Sequence, residues 1–320
     1  MVQETPLVSV IIPTYERPDF LKTAVESVLD QTYDPIELIV VDDGSKTSVE
    51  ASLDGIDTAD LLDFRLLEHE ENKGQNAARA TGISASTGDL VAFLDDDDRY
   101  LRRKVARQVN LFRAESSDVG LTYCGSRNRN ETRERSPTVE GDVTRELLLH
   151  NFVGGYSSVM VHRKAIEDVG LPDPRFPMDD DWEWFLRLSR SWEFASIPEP
   201  LVERGGGANA DYEQVSGSLD RKRTALPLLL EKFGSLAATY GWRFERRWRA
   251  ELHFRIGWIA VMTDQPGIAR RYTLRAIRYY PFVPRYHIGL MLALFDRPLS
   301  TVYSRLPRQV RRAIGQAIRW

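Results

Sequence analysis

Leu90-Val91-Ala92-Phe93-Leu94-Asp95-Asp96-Asp97-Asp98 runs from five apolar residues straight into four carboxylates. Branched and aromatic residues bounded by polar ones read as a buried strand. Four carboxylates where that strand leaves its sheet repel one another, and gathering them costs free energy unless a cation neutralises them. In open α/β sheets, ligands bind at the carboxyl ends of the strands. The stretch is therefore either a solvated acidic turn that caps the next helix or a divalent-cation site.

Outward from this point the chain alternates. Residues 8–12 form a strand stopped by Pro13, and 18–29 a helix with Phe20, Leu21, Ala24, Val25, Val28 and Leu29 on one face. Residues 36–41 are a second strand, followed by Asp42-Asp43-Gly44-Ser45, and 64–67 a third. Helices are predicted over 72–84, opening on Gly74, and over 101–113, with strands over 119–124 and 157–161 and a helix over 181–189. Such alternation predicts a parallel, doubly wound sheet with helices on both faces. Residues 126–137 are polar and aperiodic and read as a mobile loop, which carries the sequon Asn130-Glu131-Thr132. Gly205-Gly206-Gly207 is the clearest breaker, read as a flexible segment. The pattern beyond it is helical, which divides the chain into 1–214 and 215–320.

The single cysteine, Cys124, excludes an internal disulfide and a cysteine-based zinc site, and favours a reducing compartment. His69, His150, His162, His253 and His287 show no ligand spacing. No signal peptide precedes the first strand. No apolar run reaches the roughly 18–20 residues of a membrane span; the longest, 288–295, is too short. Charge is uneven: 215–320 carries 20 Lys and Arg against 6 Asp and Glu, while 1–214 carries 23 against 41. The basic part is either a solvated face of packed helices or a surface that docks on anionic lipid, as Arg with interleaved Trp and Tyr can. No nucleic-acid reading module is visible.

Two further acidic sites carry chemistry. After the second strand, Asp43 can bond a base or ribose while Gly44 lets a ligand approach the backbone; the alternative is a plain turn. Asp179-Asp180-Asp181 leads into Trp182-Glu183-Trp184-Phe185. Acids there cap a helix, or one is a general base beside an aromatic wall that binds a sugar face. In the four-aspartate run, Mg²⁺ or Mn²⁺ would take Asp97, with Asp95 or Asp96 orienting a ribose or a metal-bound water and Asp98 capping the helix.

The three acidic sites in this order resemble the family 2 glycosyltransferases of GT-A fold. The resemblance covers roughly 6–200. It rests on Val8-Ser9-Val10-Ile11-Ile12-Pro13-Thr14-Tyr15, Ser27 to Tyr33, Glu37 to Ser45, Asn72 to Arg79, Gly88 to Asp98, Ser157 to Val161 and Asp180-Asp181-Trp182. It implies a GT-A, Rossmann-like, mostly parallel α/β sheet flanked by helices, here with a helical C-terminal extension. Pro13 and Tyr15 would line the nucleoside pocket, Asp43 would bond the base, and Arg79 would lie near the nucleotide. Asp95 and Asp97 stand at the outer positions of the DxD motif around Asp96, with Mn²⁺ or Mg²⁺ on Asp97 and Asp95. Asp181 matches the base, preceded by Asp180 where the family often has Glu.

The implied reaction is inverting transfer from a nucleoside diphosphate sugar to a hydroxyl of a glycan or lipid-linked acceptor. The implied place is the cytoplasm, peripheral on the cytoplasmic face of the membrane. An inactive nucleotide-sugar-binding module is opposed by intact acids at all three sites. A sugar nucleotidyltransferase would need a phosphate-gripping loop that residues 13–18 do not supply. Gln316-Ala317-Ile318-Arg319-Trp320 spells the QxxRW of processive synthases, but so far from Asp181 it reads as coincidence.

Overall fold

The computed structural model describes residues 5–129, 134–205 and 218–294. The sequon at 130–132, Gly206, Gly207 and the QxxRW at 316–320 lie outside the described residues. The chain divides into two compact units. The first holds the described residues up to Thr144, Val153–Pro174, and those from Asp180 to 205; the second holds Arg145–Phe152, Arg175–Asp179 and those from 218 onward.

In the first unit, β1 (Val8–Thr14) and β2 (Ile36–Asp42) are buried along their whole length. Runs this rich in Val, Ile and Leu, broken within the strands only by Ser9, Pro13 and Glu37, suit parallel strands covered on both faces. β3 (Asp63–Glu68) pairs with β2, and β4 (Leu90–Phe93) with β1, all parallel. Of the connecting helices, α1 (Pro18–Leu29) starts with proline in its first turn and buries Leu21, Ala24, Val25 and Val28. Ser48 caps the short α2 (Val49–Ser52), and α3 (Gln75–Ala85) opens on Gly74 at φ +94°.

After β4 come β5 (Arg99–Tyr100), α4 (Lys104–Ala114), β6 (Val119–Asn128), β7 (Glu134–Arg135) and α5 (Thr144–Leu149). A 3-10 turn leads into β8 (Val159–His162), then α6 (Arg163–Val169), α7 (Asp180–Ser189) and β9 (Glu193–Arg204). The sheet order is β3-β2-β1-β4-β8-β6-β9-β5, with β7 on β6. The parallel arrangement holds across β3-β2-β1-β4. β8 runs antiparallel to both β4 and β6, and β9 then runs parallel to β6.

The loop expected over 126–137 is corrected on both sides of the undescribed residues. β6 continues to Asn128, and Glu134–Arg135 pairs back onto Ser126 and Arg127. Cross-strand charge replaces apolar alternation here: the Arg127 guanidinium donates to Glu203 on β9. β9 itself contains Pro198 and Pro200, which oppose a regular ladder. Register shifts between Cys124, Gly125 and Ser126 accommodate them.

The second unit contains α8 (Leu219–Thr239), α9 (Trp242–Met262), α10 (Pro266–Tyr279) and α11 (Pro284–Leu294). Ala250, Phe254, Ala276 and Tyr286 form a core there. Among the described residues no helix is long and apolar enough to cross a membrane.

Candidate functional site

β1, β2 and β4 end at the same edge of the sheet, and the acids of the first two sites gather there. Asp43 follows β2 and is buried. Its carboxylate accepts from the Lys73 amide at 2.9 Å and the Gly74 amide at 2.8 Å, and bonds His69 Nδ1 at 2.7 Å. These contacts fix the loop that opens α3. Gly44 has φ +79°, and a Cβ there would lie 2.6 Å from the Glu71 carbonyl carbon, so the turn demands glycine. At the end of β1, Pro13 is buried and Tyr15 is 41% exposed.

The four aspartates leave β4 as a tight turn, the Asp98 amide donating to the Asp95 carbonyl at 3.0 Å. Each has a different neighbour. Asp96 accepts from Thr14 Oγ1 at 2.9 Å and from Arg17 Nη1 at 3.2 Å. Asp97 lies 3.6 Å from the same arginine nitrogen. Asp95 accepts from Arg79 Nη2 at 2.7 Å, while its own amide donates to Ser157 Oγ at 3.1 Å. Asp98 accepts from the Gly205 amide at 3.0 Å.

Asp98 does not cap the following helix. α4 starts six residues later, at Lys104, with Arg103 as its N-cap, and Asp98 is buried. Gly205 is likewise no free spacer: a Cβ there would overlap the Asp97 carbonyl oxygen. The end of β9 thus closes down on the acidic turn.

Burial raises the Asp96 carboxyl to about 6, with Arg17 opposing and Asp97 adding to the rise. Burial also raises Asp97, followed by the charge of Asp95. Asp98 goes to about 7, by burial first and then by Asp95. This is the electrostatic state of a turn that gains from an added cation.

Arg79 connects this turn to the third acidic site. It is buried, and besides Asp95 it donates to Asp180 at 3.3 Å, at the start of α7. Its guanidinium lies 3.9 Å over the Tyr156 ring. Burial would lower its pKa, but Asp95 and Asp180 overcome that and hold it above the ordinary arginine value. Asp179 is held within the second unit by Lys222 Nζ and Arg255 Nη2, each at 3.0 Å. Asp181 accepts from the Trp182 amide at 2.6 Å and acts electrostatically on Arg135.

The aromatic wall expected beside the base is corrected. Trp182 and Trp184 are 1% and 0% exposed. Trp184 packs edge-on against Phe93 at 5.7 Å and lies 6.0 Å from Tyr156, so these rings are core.

Thr14, Arg17, His69, Ser157 and Gly205 were missed in the sequence. Their one common signal is position, since each lies at or just beyond the end of a strand or in the turn before one.

The turn fits a divalent cation held jointly with a ligand. Among the described residues no group of three or more His, Cys, Asp or Glu is arranged to hold an ion. Asp97, with its side chain 31% exposed, is the carboxylate of the turn least engaged by its neighbours. One or two carboxylates completed by phosphate oxygens is the usual way to bind Mg²⁺.

The profile of glycosyl transferase family 2 matches residues 9–170, just over half of the 320-residue chain. An uncharacterized glycosyltransferase of Rickettsia felis is 27% identical over 194 residues, which is 58% of this chain but only 32% of that protein. A Bacillus subtilis protein named for teichuronic acid biosynthesis, TuaG, is 29% identical over 206 residues, covering 63% of this chain and 80% of that one. The mannosyltransferase PcManGT from Pyrobaculum calidifontis, solved with GDP-Man and Mn²⁺, superposes with a TM-score of 0.59 at 18% identity. That match covers 98% of this chain and 86% of that one, and it is a likeness of fold.

Proposed function

The chain belongs to glycosyl transferase family 2, and on that premise we propose that it is a metal-dependent, inverting glycosyltransferase. It uses a nucleoside diphosphate sugar and a hydroxyl of a glycan or lipid-linked acceptor. The nucleoside sits at the ends of β1 and β2, against Pro13, Tyr15 and Asp43. Asp97 and Asp95 would hold Mn²⁺ or Mg²⁺, which would supply charge neutralisation for the leaving diphosphate. Asp96, fixed by Thr14 and Arg17, keeps the turn in place. Asp181 takes the acceptor hydroxyl proton as its oxygen attacks the anomeric carbon on the face opposite the departing diphosphate. Asp179 is bonded to Lys222 and Arg255, and Asp180 to Arg79, and Asp181 is the position that matches the base of the family.

The observation that carries this reading is the Arg79 bridge. One buried guanidinium, 2.7 Å from Asp95 and 3.3 Å from Asp180, ties the diphosphate-side turn to the helix that presents the base. Asp181→Asn should lower transfer by about 10²–10⁴-fold and leave donor binding, read as a thermal shift with Mn²⁺, unchanged. Full transfer by that variant defeats the assignment. Release of diphosphate in place of nucleoside diphosphate would make the protein a nucleotidyltransferase.

We further propose that 215–320 docks on an anionic membrane surface at the cytoplasmic face. Supporting this, Trp242, Met262 and Phe282 are exposed at 66%, 65% and 79% in a unit rich in arginine. Removing 215–320 should abolish pelleting with phosphatidylserine vesicles, and unchanged pelleting would refute it.

A further inference from the structure

Arg135 on β7 and Arg204 at the end of β9 lie over the glycine pair Gly154-Gly155. A Cβ on Gly154 would overlap Arg135 Nη1 and lie 3.1 Å from Arg204 Nη2; one on Gly155 would lie 3.1 Å from the same nitrogen. Gly154 has φ +111°, a conformation that suits glycine. The pair Gly154-Gly155 therefore makes room for two guanidiniums side by side.

Both arginines are half-buried. Neither makes an ion pair or a side-chain hydrogen bond among the described residues, and the buried Arg204 Nε has no partner there. Arg135 is pushed down to about 10, by burial first and by Arg204 second, with Asp181 opposing. Arg17 and Arg79 differ, since both are bonded to the aspartates. Asp97 and Asp98 act electrostatically on Arg204 and Asp181 on Arg135, but among the described residues no carboxylate is bonded to either guanidinium, and two adjacent, partly desolvated cations repel each other. A carboxylate or phosphate, which guanidinium forks grip through paired oxygens, removes the penalty.

Their place in the sheet says whose anion it is. Asp43 follows β2, the aspartate turn follows β4, and β6, β7 and β9 lie beyond β8 on the other side of β4. The two arginines thus lie on the far side of the acidic turn from the nucleoside end, with Arg204 in the field of Asp97 and Asp98 and Arg135 in that of Asp181. We propose that Arg135 and Arg204 form a cradle for an anionic group, carboxylate or phosphate, carried by the acceptor beside the hydroxyl that reacts. This rests on Asp181 as the base for the identity of that side. The acceptor is then an acidic glycan or a phosphate-bearing one.

The full chain is titrated with glucuronate, sn-glycerol 3-phosphate, inorganic phosphate and glucose, with and without a saturating nucleoside diphosphate and Mn²⁺, by calorimetry. One or both organic anions should bind while nucleoside diphosphate is present, and glucose should not. Binding of inorganic phosphate alone, with neither organic anion, would overturn the proposal. Arg135→Gln or Arg204→Gln should weaken anion binding at least tenfold, with nucleoside diphosphate affinity within twofold. Lysine variants should fall between. The melting temperature should not drop, because an unpaired charge is removed; a drop in both Gln variants means the pair is structural. Competition between nucleoside diphosphate and the anions, or loss of nucleoside diphosphate binding in the variants, assigns the arginines to the donor and overturns the proposal. Equal binding of glucose also overturns it. If no nucleoside diphosphate binds, the donor reading fails while the nucleotide-free anion titrations still decide the cradle.

Discussion

Replacing Arg79 by methionine tests whether the two acidic segments depend on one cation. The Arg79 side chain is 3% exposed, against 27% for Asp95 and 19% for Asp180. Removing one partner of a buried pair costs about 3–5 kcal/mol, because the remaining charge is left unpaired. The partial exposure of both carboxylates places the loss near the lower limit, and the lost stacking on Tyr156 adds about 1 kcal/mol. Methionine fills most of the volume, so the cavity contribution is small. The sum is a loss of about 3–4 kcal/mol in urea unfolding, with the slope unchanged. Adding Asp95→Asn to Arg79→Met should recover about 1–2 kcal/mol, since it removes one stranded charge. The reasoning is refuted if Arg79→Met loses less than about 1 kcal/mol, or if the second change restores nothing; either result means the carboxylates are solvated independently.

Three other perturbations are informative. Lys104 is fully buried, over the Tyr100 ring at 4.0 Å, and burial holds it down to about 7. Its folded value lies below its unfolded one, so the unfolded chain binds more protons between pH 7 and 10.5 and stability rises across that window. Lys104→Met should therefore stabilise by about 2–4 kcal/mol below pH 7, with the gain gone above pH 10.5; a pH-independent difference in unfolding free energy would contradict this. Burial pushes Glu37 up, but bonds from Ser9, Thr87 and Gly88 outweigh it and hold the carboxyl below 4.5. Its stabilisation is present above pH 4.5 and is lost as pH falls through the lower folded value. Glu37→Gln should cost about 2–3 kcal/mol at pH 7 and flatten the acid limb of the stability curve. Gly44→Ala should cost about 2–4 kcal/mol, from positive φ and overlap with the Glu71 backbone, read as a lower melting temperature.

What was legible in the sequence follows from which elements are covered on both faces. β1, β2 and β4 are apolar runs, broken only by Ser9 and Glu37, that lead into Pro13, Asp42 and the aspartates, so both the strands and the site edge were readable. β6 past Cys124, β7 and β9 were not. Their pairing rests on charge pairs such as Arg127 with Glu203 and on register shifts around prolines, which leave no period-2 pattern. The tryptophans of α7 misled because periodicity reports a buried face and a ligand-binding face alike. Asp43, the aspartate turn and Asp180-Asp181 were visible as acids after strands or before a helix. The cations that hold them, Arg17 and Arg79, sit 79 and 16 residues from their partners, and Arg135 and Arg204 meet only over Gly154. Such pairings exist in three dimensions alone.

The contact between Gly205 and the aspartate turn has a practical consequence for dividing the molecule. A fragment ending near residue 200 would keep every acidic residue of the candidate site. It would nevertheless lack the amide bonded to Asp98, the backbone packed on Asp97 and the Arg204 guanidinium. Expressed alone, it would present its aspartates on an unfinished turn, and a weak or absent response to Mn²⁺ would then report the position of the cut. The smallest piece on which metal and donor binding can be judged must therefore carry β9 through Gly205.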